Sequence, residues 1–182
     1  DSPSVENCKK FPLDGVKIAS FETTNLKLVD HIGDLGLKTF FATGQNSFQE
    51  VKNVIKILKN KAKNIIPMHC ISSYPMKVED ANLLVINKLK QENMEVGFSD
   101  HSEGHLLAGL AVAMGVKYIE KHFTLDNKLE GPDHSFSMNP KNMKKLVEHV
   151  RLVENSMGSP WMGVRESERF IFENCRRISN ID

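Results

Sequence analysis

The sequence predicts an α/β fold built from repeated strand–helix units, and three observations predict it. Short apolar runs suited to strands fall at about 16–20, 38–42, 64–70, 95–99 and 117–123. A stretch with helical spacing follows each run, and polar residues gather where each run ends.

The first run, Val16-Lys17-Ile18-Ala19-Ser20, is apolar apart from its lysine. The second, at 38–42, leads through Thr43-Gly44 to Ser47-Phe48-Gln49-Glu50, which has the spacing of a capping box. Val51, Val54, Ile55 and Leu58 then make an apolar stripe, so a helix is predicted there. The third run ends at His69 and is followed by Ser72, Ser73 and Tyr74. The fourth ends in Ser99-Asp100-His101 and the fifth carries Lys121, His122 and Thr124. Asn139-Pro140 reads as an N-cap with proline in the first turn of a last long helix. Its predicted apolar face is Met143, Leu146, Val147, Val150 and Val153, and Gly158 is expected just past its end. From Ser159 to Asp182 the periodicity is weak, which predicts a linker or short terminal helix.

Alternating strands and helices imply parallel strands joined by right-handed crossovers. Two architectures satisfy this, a doubly wound open sheet and a (β/α)8 barrel, and five units suit the open sheet by count. A complete barrel needs eight units and about 250 residues, so this chain would supply only part of one. The length of 182 residues, 40% of them hydrophobic, suits one sizeable core. A formal net charge of +1 gives no field that would favour nucleic acid or an anionic membrane surface. No apolar run reaches the roughly 20 residues that span a bilayer. The three cysteines, Cys8, Cys70 and Cys175, form no CxxC pair and fit a reducing cytoplasm.

In both architectures ligands bind at the C-terminal ends of the strands, where Lys17, Ser20, Glu22, Thr43, Ser72, Tyr74, Ser99, His101 and His122 fall. Loops are polar in any protein, so each residue alone carries a second, bland reading. His101 and His122 end successive strands, which brings their imidazoles to one rim. Two neutral imidazoles with open positions suit Mn2+, Fe2+ or Zn2+, although a histidine can equally be structural. His105 competes as a ligand, but its place in a helix favours a supporting role. An unpaired ammonium at Lys17 would be costly to bury, which predicts an anionic partner such as a phosphate or carboxylate. Gly131-Pro132-Asp133-His134 reads as a tight turn.

Six strings at these positions resemble the sialic-acid synthase family. They are Val16-Lys17-Ile18-Ala19-Ser20, Ala42-Thr43-Gly44, His69-Cys70-Ile71-Ser72-Ser73-Tyr74-Pro75, Gly97-Phe98-Ser99-Asp100-His101-Ser102, Glu120-Lys121-His122-Phe123-Thr124-Leu125-Asp126 and Gly131-Pro132-Asp133-His134-Ser135. The resemblance implies a partial (β/α)8 TIM barrel over 1–158, equivalent to barrel strands four to eight, with 159–182 as a linker or terminal helix. It implies His101 and His122 as ligands of a divalent metal, Mn2+ first, with Mg2+ or Co2+ as alternatives. Lys17, Ser20 and Ser99 would hold phosphoenolpyruvate, while Glu22, Tyr74 and Asp133 would contact an open-chain amino sugar. Thr43 could donate to the same anion, and Ser72 would add a polar substrate contact. The implied reaction is attack by C3 of phosphoenolpyruvate on the sugar aldehyde, then water addition at C2 and loss of phosphate. In it the metal polarises the aldehyde and the lysine offsets phosphate charge.

Two positions depart from the family pattern: Ala42 replaces a common serine, and Gln45 a common methionine. By the same alignment Asp1 falls just after the third barrel strand, and the family's C-terminal antifreeze-like domain is absent. The expectation is therefore a fragment that needs an N-terminal half or a second copy of itself. Rival expectations are a noncatalytic metal- or anion-binding remnant, a five-stranded flavodoxin-like module, and a synthase of other 3-deoxy sugar acids.

Overall fold

A computed structural model describes residues 1–178 of the chain. Its centre is a sheet of five parallel strands, β1 (Gly15–Ile18), β2 (Lys38–Ala42), β3 (Asn64–Cys70), β4 (Gly97–Asp100) and β5 (Tyr118–Lys121). The spatial order is β1-β2-β3-β4-β5, so each strand lies beside its sequence neighbour. A flavodoxin-like sheet reverses direction at a switch point. None occurs here, so the flavodoxin-like expectation is wrong and the sheet is the wall of a (β/α)8 barrel, five units long.

The predicted strand runs all fall on observed strands; those at 38–42 and 64–70 match end to end, and the other three have shifted ends. β1 stops at Ile18 because Ser20–Glu22 turns into a short 3-10 helix. The Thr23 hydroxyl ties that turn down, lying 3.2 Å from the Ala19 carbonyl and 2.9 Å from that of Ala42.

The connecting helices are α2 (Leu26–Gly33), α3 (Phe48–Leu58), α4 (Val85–Lys90), α5 (Leu106–Ala113) and α6 (Pro140–Met157). α3 begins with the predicted capping box: Ser47 Oγ accepts from the Glu50 N–H, and the Glu50 carboxylate accepts from the Ser47 N–H. Its stripe of Val51, Val54, Ile55 and Leu58 is buried. These side chains join Ile18, Val29, Phe41, Ile86, Leu89 and Phe98 in the main core, between the sheet and its helices. Burying a Val, Leu, Ile or Phe side chain contributes about 1.5–3 kcal/mol each, which makes this layer the main source of cohesion.

The other face of the sheet is concave and more polar. Side chains alternate along each strand, so Lys17, Phe40, Met68, Ser99, Tyr118 and Glu120 point inward while Ile18, Phe41, Phe98 and Lys121 point to the helices. Phe40 and Tyr118 meet edge to face across this interior at 5.1 Å between ring centroids. A cleft of about 990 Å³ runs from Lys17, Phe40 and Met68 past the free side of β5 to Met143 and Val150 of α6.

Asn139 caps α6, Pro140 opens it and Gly158 follows its end, as the sequence predicts. The predicted apolar face is only partly covered: Leu146 is buried, packing with Ala108 and Met138, whereas Val147 lines the cleft. Two further helices complete the chain. α1 (Ser2–Cys8), which the sequence reading missed, is capped by Asp1, whose carboxylate accepts from the Ser4 N–H at 2.9 Å. In the expected terminal segment, α7 (Arg169–Cys175) follows a 3-10 turn, and residues 159–178 are all exposed. Residues 179–182 of that segment lie outside the described residues.

Candidate active site at the strand ends

The polar groups of the concave face meet near the C-terminal ends of β1, β4 and β5. Lys17 Nζ lies 2.5 Å from Glu120 Oε1, bridging the two edge strands of the arc. The anionic partner expected for Lys17 is thus supplied by the protein itself, as a carboxylate. Both side chains keep about a third of their surface exposed, 36% and 38%, so the pair remains open to an incoming ion. Ser99 Oγ donates to Glu120 Oε1 at 3.1 Å and stands 3.3 Å from His101 Nε2. Lysine, carboxylate, hydroxyl and imidazole therefore form one chain of contacts.

His101 is fixed by its other nitrogen, which donates to the Ile71 carbonyl at 2.7 Å. A carbonyl only accepts, so Nδ1 carries the proton and a neutral ring leaves the Nε2 lone pair free. Burial pushes His101 below the usual imidazole range, the Ile71 contact opposing and nearby His122 reinforcing that shift. The His101 and His122 rings lie 5.4 Å apart between centroids. Tyr74 packs against both, at 4.3 Å from His101 and 5.6 Å from His122, and Phe136 lies 5.3 Å from His122 and 6.3 Å from Tyr74, so the rings of Tyr74, His122 and Phe136 form a cluster. Asp133 Oδ2 comes within 3.7 Å of His122 Nδ1, so the Gly131-Pro132-Asp133 turn faces the site.

Ser20 and Ser72 share a hydrogen bond of 2.8 Å at the ends of β1 and β3. Beside them the Gly44 N–H points at Cys70 Sγ at 3.2 Å. Burial raises the Cys70 thiol above its usual range, which keeps it protonated and poorly suited to nucleophilic work.

Two of the expected substrate contacts already have partners within the protein. Thr43 is buried and its hydroxyl donates to the Met68 carbonyl at 3.3 Å, so it is committed to the backbone. One carboxylate oxygen of Glu22 accepts from Asn25 Nδ2 at 3.0 Å at the start of α2. His105 takes the N-cap position of α5 and its ring meets His149 of α6 at 5.1 Å, which suits the supporting role expected of it. The sequence reading also passed over Glu120 and Phe136. Glu120 carried a usable signal, because it stands two residues before His122 in the predicted run 117–123, and a period of two places both on one face.

Two imidazoles, one with a free Nε2, suit a divalent ion whose other positions fall to water and substrate. No group of three or more His, Cys, Asp or Glu side chains placed to hold a metal occurs among the described residues. Likewise no helix among them is long and apolar enough to cross a membrane.

The sequence profile of the NeuB family matches residues 1–161. The chain is 38% identical over 165 residues to the N,N'-diacetyllegionaminic acid synthase of Legionella pneumophila, covering 87% of this chain and 46% of that protein. It is 34% identical over 162 residues to human N-acetylneuraminate-9-phosphate synthase, covering 88% of this chain and 45% of that one. The crystal structure of N-acetylneuraminic acid synthetase from Leptospira borgpetersenii, in complex with citrate, superposes with a TM-score of 0.87 at 35% identity. That superposition covers 98% of this chain and 64% of the other. The chain spans about half the length of the curated relatives it matches. With the sequential sheet and the strand-end site in place, these matches make the chain a member of the NeuB family, the sialic-acid synthases.

Proposed function

We propose that this chain provides the metal- and phosphoenolpyruvate-binding part of a synthase that makes a nonulosonic acid from an N-acetylated amino-sugar aldehyde such as N-acetylmannosamine. The observation that carries the reading is the contact chain Lys17–Glu120–Ser99–His101 beside His122, at the strand ends where barrel enzymes hold substrate.

In this reading Lys17 gives its charge to the phosphate or carboxylate of phosphoenolpyruvate, exchanging Glu120 for the ligand. Ser99, and Ser20 with Ser72, offer hydroxyl donors to the same oxygens. Tyr74 and Asp133 flank the imidazoles and bound the place of the sugar. His101 and His122 would hold Mn2+, or in its stead Mg2+ or Co2+. Such an ion, when bound, supplies Lewis acidity to the aldehyde oxygen. C3 of phosphoenolpyruvate bonds to the aldehyde carbon, water adds at C2, and the C2–O bond breaks to release inorganic phosphate. Thr43 and Glu22, which have partners of their own in the Met68 carbonyl and Asn25, would be further contacts at this rim, Thr43 beside the anion and Glu22 beside the sugar. A cytoplasmic setting accords with the three free cysteines.

The test is phosphate release from phosphoenolpyruvate with N-acetylmannosamine and Mn2+. The chain is assayed alone and with the N-terminal half of the Legionella relative added in trans, each as wild type and as His122→Ala. Mn2+-dependent release that disappears in the variant is expected. Mn2+ binding without release, for any related amino sugar and in any mixture, would leave a noncatalytic binding protein.

A further inference from the structure

Asp100 and Lys121 take no part in the contact chain, yet each directly precedes one of the two rim histidines. β4 and β5 pair in register, Ser99 opposite Glu120 and Asp100 opposite Lys121. Alternation sends the first two side chains to the concave face and the second two to the helix side of the sheet. There Lys121 Nζ lies 2.8 Å from Asp100 Oδ2, with the side chains 4% and 0% exposed.

The loop after His101 is drawn into the same cluster. Asp100 Oδ1 accepts from the Ser102 N–H at 2.9 Å and from its hydroxyl at 2.6 Å, while Lys121 also donates to the Ser102 carbonyl. Oδ2 has no aligned hydrogen-bond donor, so its contact with Lys121 is one of charge. Two buried ions are a weak source of net stability, because desolvation offsets most of their attraction. Their place beneath two imidazoles gives them a different use.

The two rings are held unequally. His101 has its Nδ1 bond to Ile71, and its own carbonyl accepts from the Met76 N–H at 2.9 Å. His122 is held through its carbonyl, which accepts from the Met138 N–H at 2.8 Å, while the nearest ring contact to a charged group is Asp133 at 3.7 Å. Its ring rests against Tyr74 and Phe136 and is carried otherwise by the backbone that follows Lys121.

We propose that Asp100 and Lys121 are positioning residues: their buried pair, with Ser102, locks the ends of β4 and β5 together and sets the separation and orientation of His101 and His122. The inference rests on the reading of those imidazoles as ligands of one divalent ion, and it assigns to two further residues the spacing such an ion requires.

The experiment records the histidine ring 1H–15N signals of the full chain at fixed pH and titrates Mn2+ by electron paramagnetic resonance. Wild type is compared with Lys121→Met, with the double variant Asp100→Asn/Lys121→Met, and with Val54→Ala, a buried change in α3 away from the rim. Both pair variants should shift the His101 and His122 signals and weaken Mn2+ binding about ten- to a hundred-fold, as loss of groups that orient metal ligands does. Val54→Ala should lower Tm and leave both readouts unchanged. If Lys121→Met strands a buried carboxylate and fails to fold, the double variant, which buries no unpaired charge, carries the test. A folded pair variant with wild-type ring signals overturns the proposal. Absence of Mn2+ binding by wild type would instead defeat the ligand reading, and the ring signals alone would still decide whether the pair positions the imidazoles.

Discussion

Replacing Gly44 with alanine should strain the rim of the site through two named neighbours. A Cβ built at Gly44 would stand 2.4 Å from Ser72 Oγ and 2.8 Å from Cys70 Sγ, both inside the distance real Cβ atoms keep. Ser72 has to rotate away, which gives up its 2.8 Å bond to Ser20. Overpacking of this kind costs about 1–3 kcal/mol, and the lost hydrogen bond adds about 0.5–1.5 kcal/mol. About 2 kcal/mol or more is therefore expected, which in a chain of this size lowers Tm by at least about 4 °C. Thermal and urea unfolding of wild type, Gly44→Ala, Ser72→Ala and the double variant make a complete cycle. Removing Oγ relieves the closer clash, so alanine at 44 should cost on the order of 1 kcal/mol less in the Ser72→Ala background. Equal costs in both backgrounds, or a Tm change under about 1 °C, would refute the packing described around Ser20, Ser72 and Cys70.

Two other outcomes are expected. Burial lowers the pKa of both His69, whose Nε2 lies 2.8 Å from the Ala81 carbonyl, and His101. As pH falls through about 6.5 the unfolded chain protonates these rings first, so their contribution is fully present above that pH and is lost below it. The slope is at most about 1.4 kcal/mol per pH unit for each ring. Urea unfolding between pH 7.5 and 5.5 should show this loss, with a shallower slope in His69→Gln; identical slopes would count against it. Ser47→Ala removes one side of the α3 capping box and should cost about 1 kcal/mol, read from the urea midpoint, whereas an unchanged midpoint would mean that the box adds nothing.

Much of this architecture was legible because its determinants are local. The Ser47–Glu50 box and the Asn139-Pro140 start mark helices by spacing alone, and His101 and His122 end successive strands whose parallel pairing brings them to one rim. What escaped depends on pairings the sequence does not display. Lys17 announced an anion but not its source, since Glu120 is 103 residues away and meets it only when five strands curve into an arc. Thr43 looked free because its acceptor, the Met68 carbonyl, is fixed by the β2–β3 register. α1 was hidden by its polarity: it buries Val5 alone, and its best signals were Asp1 and the proline of its first turn. Composition and periodicity leave barrel and doubly wound sheet open; the six family strings chose the barrel, and the strand order bears that choice out.

Strand order also governs how the site comes into being. Each pairing joins adjacent units, so every ladder closes a short loop, and the entropic penalty of closure grows only slowly with loop length. The Lys17–Glu120 contact is different, because it joins the first strand to the last and requires all four intervening ladders. An anion that takes Lys17 from Glu120 and accepts from Ser99 joins β1 to β4, so it binds only the assembled arc. By mass action it would stabilise every unit at once, so saturating anion should protect amides in β2 and β3 from hydrogen exchange although it touches neither strand.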